Sequence, residues 1–129
     1  MVAKLHPFTP DEHLVQARHN ERLANALVTI GSNQLDWVVT ISFYSALHYI
    51  YSKLPPGKEI CSNYMQFEKE IASSFSSKPV IYKNYKSLKD KSRNARYYPH
   101  IAQHYSKDTK FIEMIFRILD NLKRGLEIN

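Results

Sequence analysis

A single cysteine, Cys61, excludes any disulfide within this chain and any zinc site built on several thiolates. Only three glycines occur, Gly31, Gly57 and Gly125, and they lie far apart. No glycine-rich phosphate loop can be built from them, which excludes nucleotide hydrolysis of the P-loop kind. No serine sits in a nucleophile-elbow motif. Internal repeats, low-complexity tracts and strand-like alternation are also missing. The opening MVAKLHPFTP carries no apolar leader stretch. With the lone cysteine, this predicts an intracellular, cytoplasmic protein. At 129 residues the chain predicts one domain, residues 1–129, with a short arm over 1–8.

Acidic side chains are the other shortage. The formal charge is +6. From Lys78 to Lys110 there are nine basic and two acidic residues, a net of +7, which leaves −1 for the remainder. The basicity therefore belongs to one segment. Tyr82, Tyr85, Tyr97, Tyr98 and Tyr105 are interleaved with it. Cations among aromatics suit phosphate contact with base stacking; they equally suit a solvated basic face over packed tyrosines.

What is present in quantity is helix pattern. Residues 34–54, QLDWVVTISFYSALHYIYSKL, are apolar nearly all round and long enough for about five to six turns. Asp36, Thr40, Ser42, Ser45, His48 and Ser52 interrupt the run too often for a membrane span, so it predicts a central helix surrounded by others. Asp36, Thr40, Tyr44, His48 and Ser52 recur at i, i+4 and form one seam, which either meets solvent or points into a cleft.

Before the central helix, Thr9-Pro10 with Asp11 and Glu12 predicts a first helix to about Ile30, stopped by Gly31. Leu14, Ala17, Ala24, Leu27 and Val28 are its expected apolar face, with His13 and His19 at the surface. Ser32 or Asn33 is expected to cap the central helix, and Pro55-Pro56-Gly57 to end it. A shorter third helix starts at Ser62 or Asn63, with Tyr64, Phe67, Ile71 and Phe75 on one side, followed by a loop over 73–77. Pro79 opens a fourth helix to about Tyr97, with Ile81, Tyr85, Leu88, Ser92 and Ala95 as its buried stripe. Pro99 breaks or kinks the chain. Ser106 or Asp108 starts a fifth helix, ended by Gly125. The expected fold is all-α: a four-helix up-and-down bundle with an additional short helix.

The segment with the most chemistry is 92–100, SRNARYYPH. Arginine grips phosphate bidentately and stays charged. Histidine titrates near neutrality and can move protons at a 2′-hydroxyl or a leaving 5′-oxygen. Arg93 and His100 are therefore candidates for metal-free RNA cleavage, with Arg96, Lys89, Lys91 and Tyr97 guiding the strand. The bland alternative is a helix end where Arg93 pairs with Asp90 and His100 packs. His100 and His104 stand at i, i+4, but no carboxylate lies near, so neither a metal nor a cofactor is predicted.

Taken together, His19-Asn20-Glu21, then Asp36-Trp37 and FYSALHY over 43–49, then Tyr85, Leu88, Ser92 and Ala95-Arg96-Tyr97 resemble a HEPN domain, over roughly residues 12–125. The resemblance implies a helical bundle, and for many members a metal-independent endoribonuclease acting in toxin–antitoxin, CRISPR or phage-defence systems. It implies a homodimer in which two Arg-x(4–6)-His motifs share one site, formed on the side of the fourth and fifth helices. On that pattern Arg93 holds the scissile phosphate, Asn94 supports it and His100 transfers the proton. An antitoxin or effector protein is the implied partner. Members with the Ala-Arg-Tyr block, where the recurrent arginine is Arg96, are instead non-catalytic modules that bind nucleotide or RNA or dock to a partner. The seam with His48 coincides with the most recognisable block and is expected to face the cleft lined by the fourth helix.

Overall fold

The computed structural model describes residues 8–31, 34–55, 57–58 and 63–129. They form six helices: α1 Pro10–Ile30, α2 Leu35–Lys53, α3 Tyr64–Ser74, α4 Pro79–Tyr97, α5 Pro99–Tyr105 and α6 Thr109–Gly125. No strand occurs among the described residues, and the protein is all-α. None of these helices is long and apolar enough to cross a membrane.

Local chemistry sets most of the boundaries. Thr9 Oγ1 accepts from the Glu12 amide at 3.1 Å, and the Glu12 carboxylate accepts from the Thr9 amide at 2.8 Å, a reciprocal cap that starts α1. Gly31 ends it with φ at 156°, a conformation suited to glycine alone. Asn63 caps α3 through the Gln66 amide, and Asp108 caps α6 through the Phe111 amide. Gln34 precedes α2 without a side-chain cap bond. The alternative caps Ser32, Asn33 and Ser62, the breaker Pro56, and the arm over 1–7 lie outside the described residues.

Three expectations need correction. The loop expected from Ser73 begins later, because α3 continues through Ser74. Pro99 breaks the chain as expected, but the stretch after it, expected to be a connection, is helical: proline at a first helical position favours a new start, and α5 is a separate helix. His13 is not a surface residue. It is 7 % exposed and takes an inward position of α1, while Val28 is 39 % exposed. The angular step of α1 explains the exchange, since His13 shares the inward line of Ala17 and Ala24.

Helix α2 is the centre and packs against α1, α4, α5 and α6. Leu35, Val38, Val39, Phe43, Ala46 and Ile50 are buried along it. Each of them except the small Ala46 contributes about 1.5–3 kcal/mol on burial. Ser45 Oγ donates to the Ala17 carbonyl at 2.7 Å, and His13 Nδ1 meets His48 Nδ1 at 2.9 Å. Rising numbers on α1 thus meet falling numbers on α2, the order of antiparallel neighbours. The C-terminal end of α6 approaches the start of α4. A Cβ on Gly125 would lie 3.0 Å from Ile81 Cγ1, so glycine permits the close contact.

One polar tie joins three helices. The Tyr49 hydroxyl donates to Glu21, and Lys123 Nζ donates to the same carboxylate at 3.0 Å. Burial, then the Glu21 hydrogen bond and charge, hold the Tyr49 hydroxyl far above its ordinary pKa. Tyr49 therefore remains a donor at neutral pH.

Candidate nucleic-acid cleft

Helical spacing gathers the cleft on α4. Lys89, Arg93, Arg96 and Tyr97 stand at i, i+4, i+7 and i+8 and share one face. Tyr98 follows at the helix end, and Tyr64 enters from the start of α3. These six residues line an open cleft of about 430 Å³.

Arg96 is held in place. Its Nη1 donates to the Tyr44 hydroxyl at 3.0 Å, and its Nε donates to the Ser92 carbonyl at 3.3 Å. The guanidinium lies 5.8 Å from the Tyr44 ring centroid and 5.3 Å from that of Tyr97. Arg93 is exposed and has no hydrogen bond or ion pair among the described residues. The bland pairing of Arg93 with Asp90 does not form, because Asp90 bonds Lys86 at 3.4 Å.

Lys89 is committed elsewhere. Its ammonium pairs with Glu68 and lies 4.9 Å from the Tyr64 ring centroid, and both charged side chains are 19 % exposed. Tyr85 donates to the same carboxylate at 3.0 Å. Burial pushes the Glu68 carboxyl up, but the hydrogen bonds from Lys89 and Tyr85 and the Lys89 and Lys86 charges outweigh it, so its pKa is lowered. Burial is also the chief cause of the raised Tyr64 pKa. The Tyr64 hydroxyl stays protonated, and its ring offers a neutral stacking face beside the arginines.

The remaining sequence candidates fall outside the cleft. Lys91 is half-buried and donates to Ser87 Oγ at 2.9 Å, about 200° round α4 from Lys89. Asn94 is half-buried, and its carbonyl accepts the Tyr98 amide at 3.1 Å, closing the helix end. His100 is exposed in the first turn of α5 and is not among the cleft's lining residues. His48 turns towards α1 and bonds His13, with Phe8 and Tyr51 beside the pair. The seam of α2 is therefore divided: Tyr44 supports the cleft and His48 does not line it. No group of three or more potential metal-ligating side chains occurs among the described residues.

Tyr44, Tyr64 and Glu68 are the contributors that the motif around 92–100 did not disclose. Tyr44 left a signal, its place in the i, i+4 seam. Tyr64 and Glu68 left none, because nothing local ties the start of α3 to the end of α4. No family model, no curated protein and no solved structure matches this chain.

Proposed function

We propose that this chain is a HEPN-like module that binds RNA or a nucleotide at the end of α4. The observation that carries the reading is the cleft itself, where Arg93 and Arg96 stand among Tyr64, Tyr97 and Tyr98. The arginines supply charge-assisted hydrogen bonds to phosphate, and the tyrosine faces supply stacking for bases. Arg96 is already fixed by Tyr44, so little freedom is lost when it takes a phosphate. Lys89, tied to Glu68, is the floor of the cleft and not a phosphate hand. On this reading the fold is an up-and-down four-helix bundle of α1, α2, α4 and α6 with α3 and α5 as accessories. The protein works in the cytoplasm.

A second reading keeps the exposed His100. Arg93 and His100 flank the break at Pro99, and both are accessible to a second copy. A homodimer would then bring them together as a metal-independent endoribonuclease, with Asn94 beside Arg93, acting as a toxin or defence effector restrained by an antitoxin. RNA incubated with wild type and with His100→Ala in EDTA separates the two. Binding without cleavage in both proteins supports the module; cleavage by the wild type that is lost in the mutant supports the nuclease.

A further inference from the structure

Four cations stand on the cleft side of α4. Lys86, Lys89, Arg93 and Arg96 fall within about 80° of one another round the helix. They are not equally available to a ligand. Lys86 pairs with Asp90 at 3.4 Å, and Lys89 pairs with Glu68. Among the described residues Arg93 has no hydrogen bond or ion pair, and Arg96 bonds only the neutral oxygens of Tyr44 and Ser92. Both lysines thus meet a carboxylate, and neither arginine does. The two pairs differ in kind. Lys86 and Asp90 are exposed neighbours on one helix, a contact that solvent largely screens. Lys89 and Glu68 are each 19 % exposed and join α4 to α3.

The position of Glu68 does not depend on Lys89. On α3, Phe67 and Ile71 are buried beside it. Phe67 stacks on Tyr51 at 4.5 Å and meets the Tyr85 ring edge-on at 5.6 Å. The Tyr85 hydroxyl donates to Glu68 Oε2 at 3.0 Å, the same oxygen that accepts from Lys89. The carboxylate is therefore an anchored group, and Lys89, on its flexible four-carbon stem, is the partner that can move. Lys89 lines the cleft, and Glu68 does not. Lys89 also precedes Arg93 by one helical turn, so the two side chains are neighbours on the surface of α4. A phosphate held by Arg93 and the Glu68 carboxylate thus compete for one ammonium. We infer that Glu68 regulates the cleft as a built-in competitor of phosphate, keeping the Lys89 ammonium off the ligand and limiting the cleft to two working cations, Arg93 and Arg96. The inference rests on the phosphate-binding reading of the cleft. It makes the grip on RNA weaker, and less dependent on salt, than the charge of α4 alone would give.

Glu68→Gln and Glu68→Met remove the charge with side chains of similar length, and two variants guard against one that fails to fold. The full chain is titrated into a labelled single-stranded RNA at neutral pH, in EDTA, over a series of salt concentrations, with helicity checked for each protein. Each folded Glu68 variant is expected to bind about fivefold or more tightly than the wild type at low salt, with a log–log slope steeper by about 0.7–1, the mark of one added phosphate contact. Adding Lys89→Gln to Glu68→Gln is expected to abolish both the gain and the extra slope, because the gain belongs to the released ammonium. A folded Glu68 variant that binds no more tightly than the wild type overturns the proposal. A gain that survives Lys89→Gln overturns it too, since the effect would then be general charge and not competition for Lys89. Failure of the cleft reading itself has a different signature: neither the wild type nor any Glu68 variant binds RNA, and both readings fall together.

Discussion

The Tyr44 hydroxyl accepts a hydrogen bond from Arg96 Nη1 at 3.0 Å and joins the middle of α2 to the end of α4. Tyr44→Phe keeps the ring under the guanidinium and removes the acceptor. The expected loss is about 0.5–1.5 kcal/mol in RNA affinity, a few-fold in Kd, with thermal stability nearly unchanged because Tyr44 is only half-buried. Anisotropy titration with labelled RNA, set beside a melting curve, checks both halves. An unchanged Kd would show that Arg96 needs no support.

Glu68 should make the protein acid-sensitive. Its folded pKa lies below the ordinary value of 4.5. A lowered carboxyl pKa gives stability that is complete above the unfolded value and lost as pH falls through the folded one. Below pH 4.5 the wild type should therefore lose stability faster than Glu68→Gln, whereas near neutrality the wild type should be the more stable. Urea unfolding across pH 2 to 7 measures the difference. Parallel curves would remove the Lys89–Glu68 pair from the account.

Removing Glu21 should cost more than removing a surface acid. Glu21→Ala leaves Lys123, whose side chain is 16 % exposed, without its carboxylate and leaves the Tyr49 hydroxyl without its acceptor. The expected destabilisation is about 2–3 kcal/mol, read from chemical denaturation. A loss within the usual surface range of about 0.5 kcal/mol would mean that solvent replaces both bonds.

The helices were largely legible because their punctuation is local. Thr9-Pro10, Gly31, Pro79 and Gly125 each act within a turn of the boundary they set, and the apolar run over 34–54 can only be central. His13 is not legible in the same way, because a polar residue on an inward line looks like a surface group until its partner is known, and His48 is 35 positions away. The cleft was half legible. Arg93, Arg96 and Tyr97 share a helical face that spacing reveals, but Tyr64, Glu68 and Tyr44 arrive through tertiary packing. Lys89 and Lys91 look equivalent as charges. Rotation round the helix separates them, and their partners give one to Glu68 and the other to Ser87.

The most direct test is RNA affinity as a function of salt, for the wild type, Arg93→Gln, Arg96→Gln and His100→Ala. The account predicts that wild-type affinity falls with rising salt, and that each arginine variant binds more weakly with a log–log slope shallower by about one. His100→Ala should bind as the wild type does. Wild-type binding that does not respond to salt, or arginine variants that bind as well as the wild type, would contradict a phosphate-binding cleft at the end of α4.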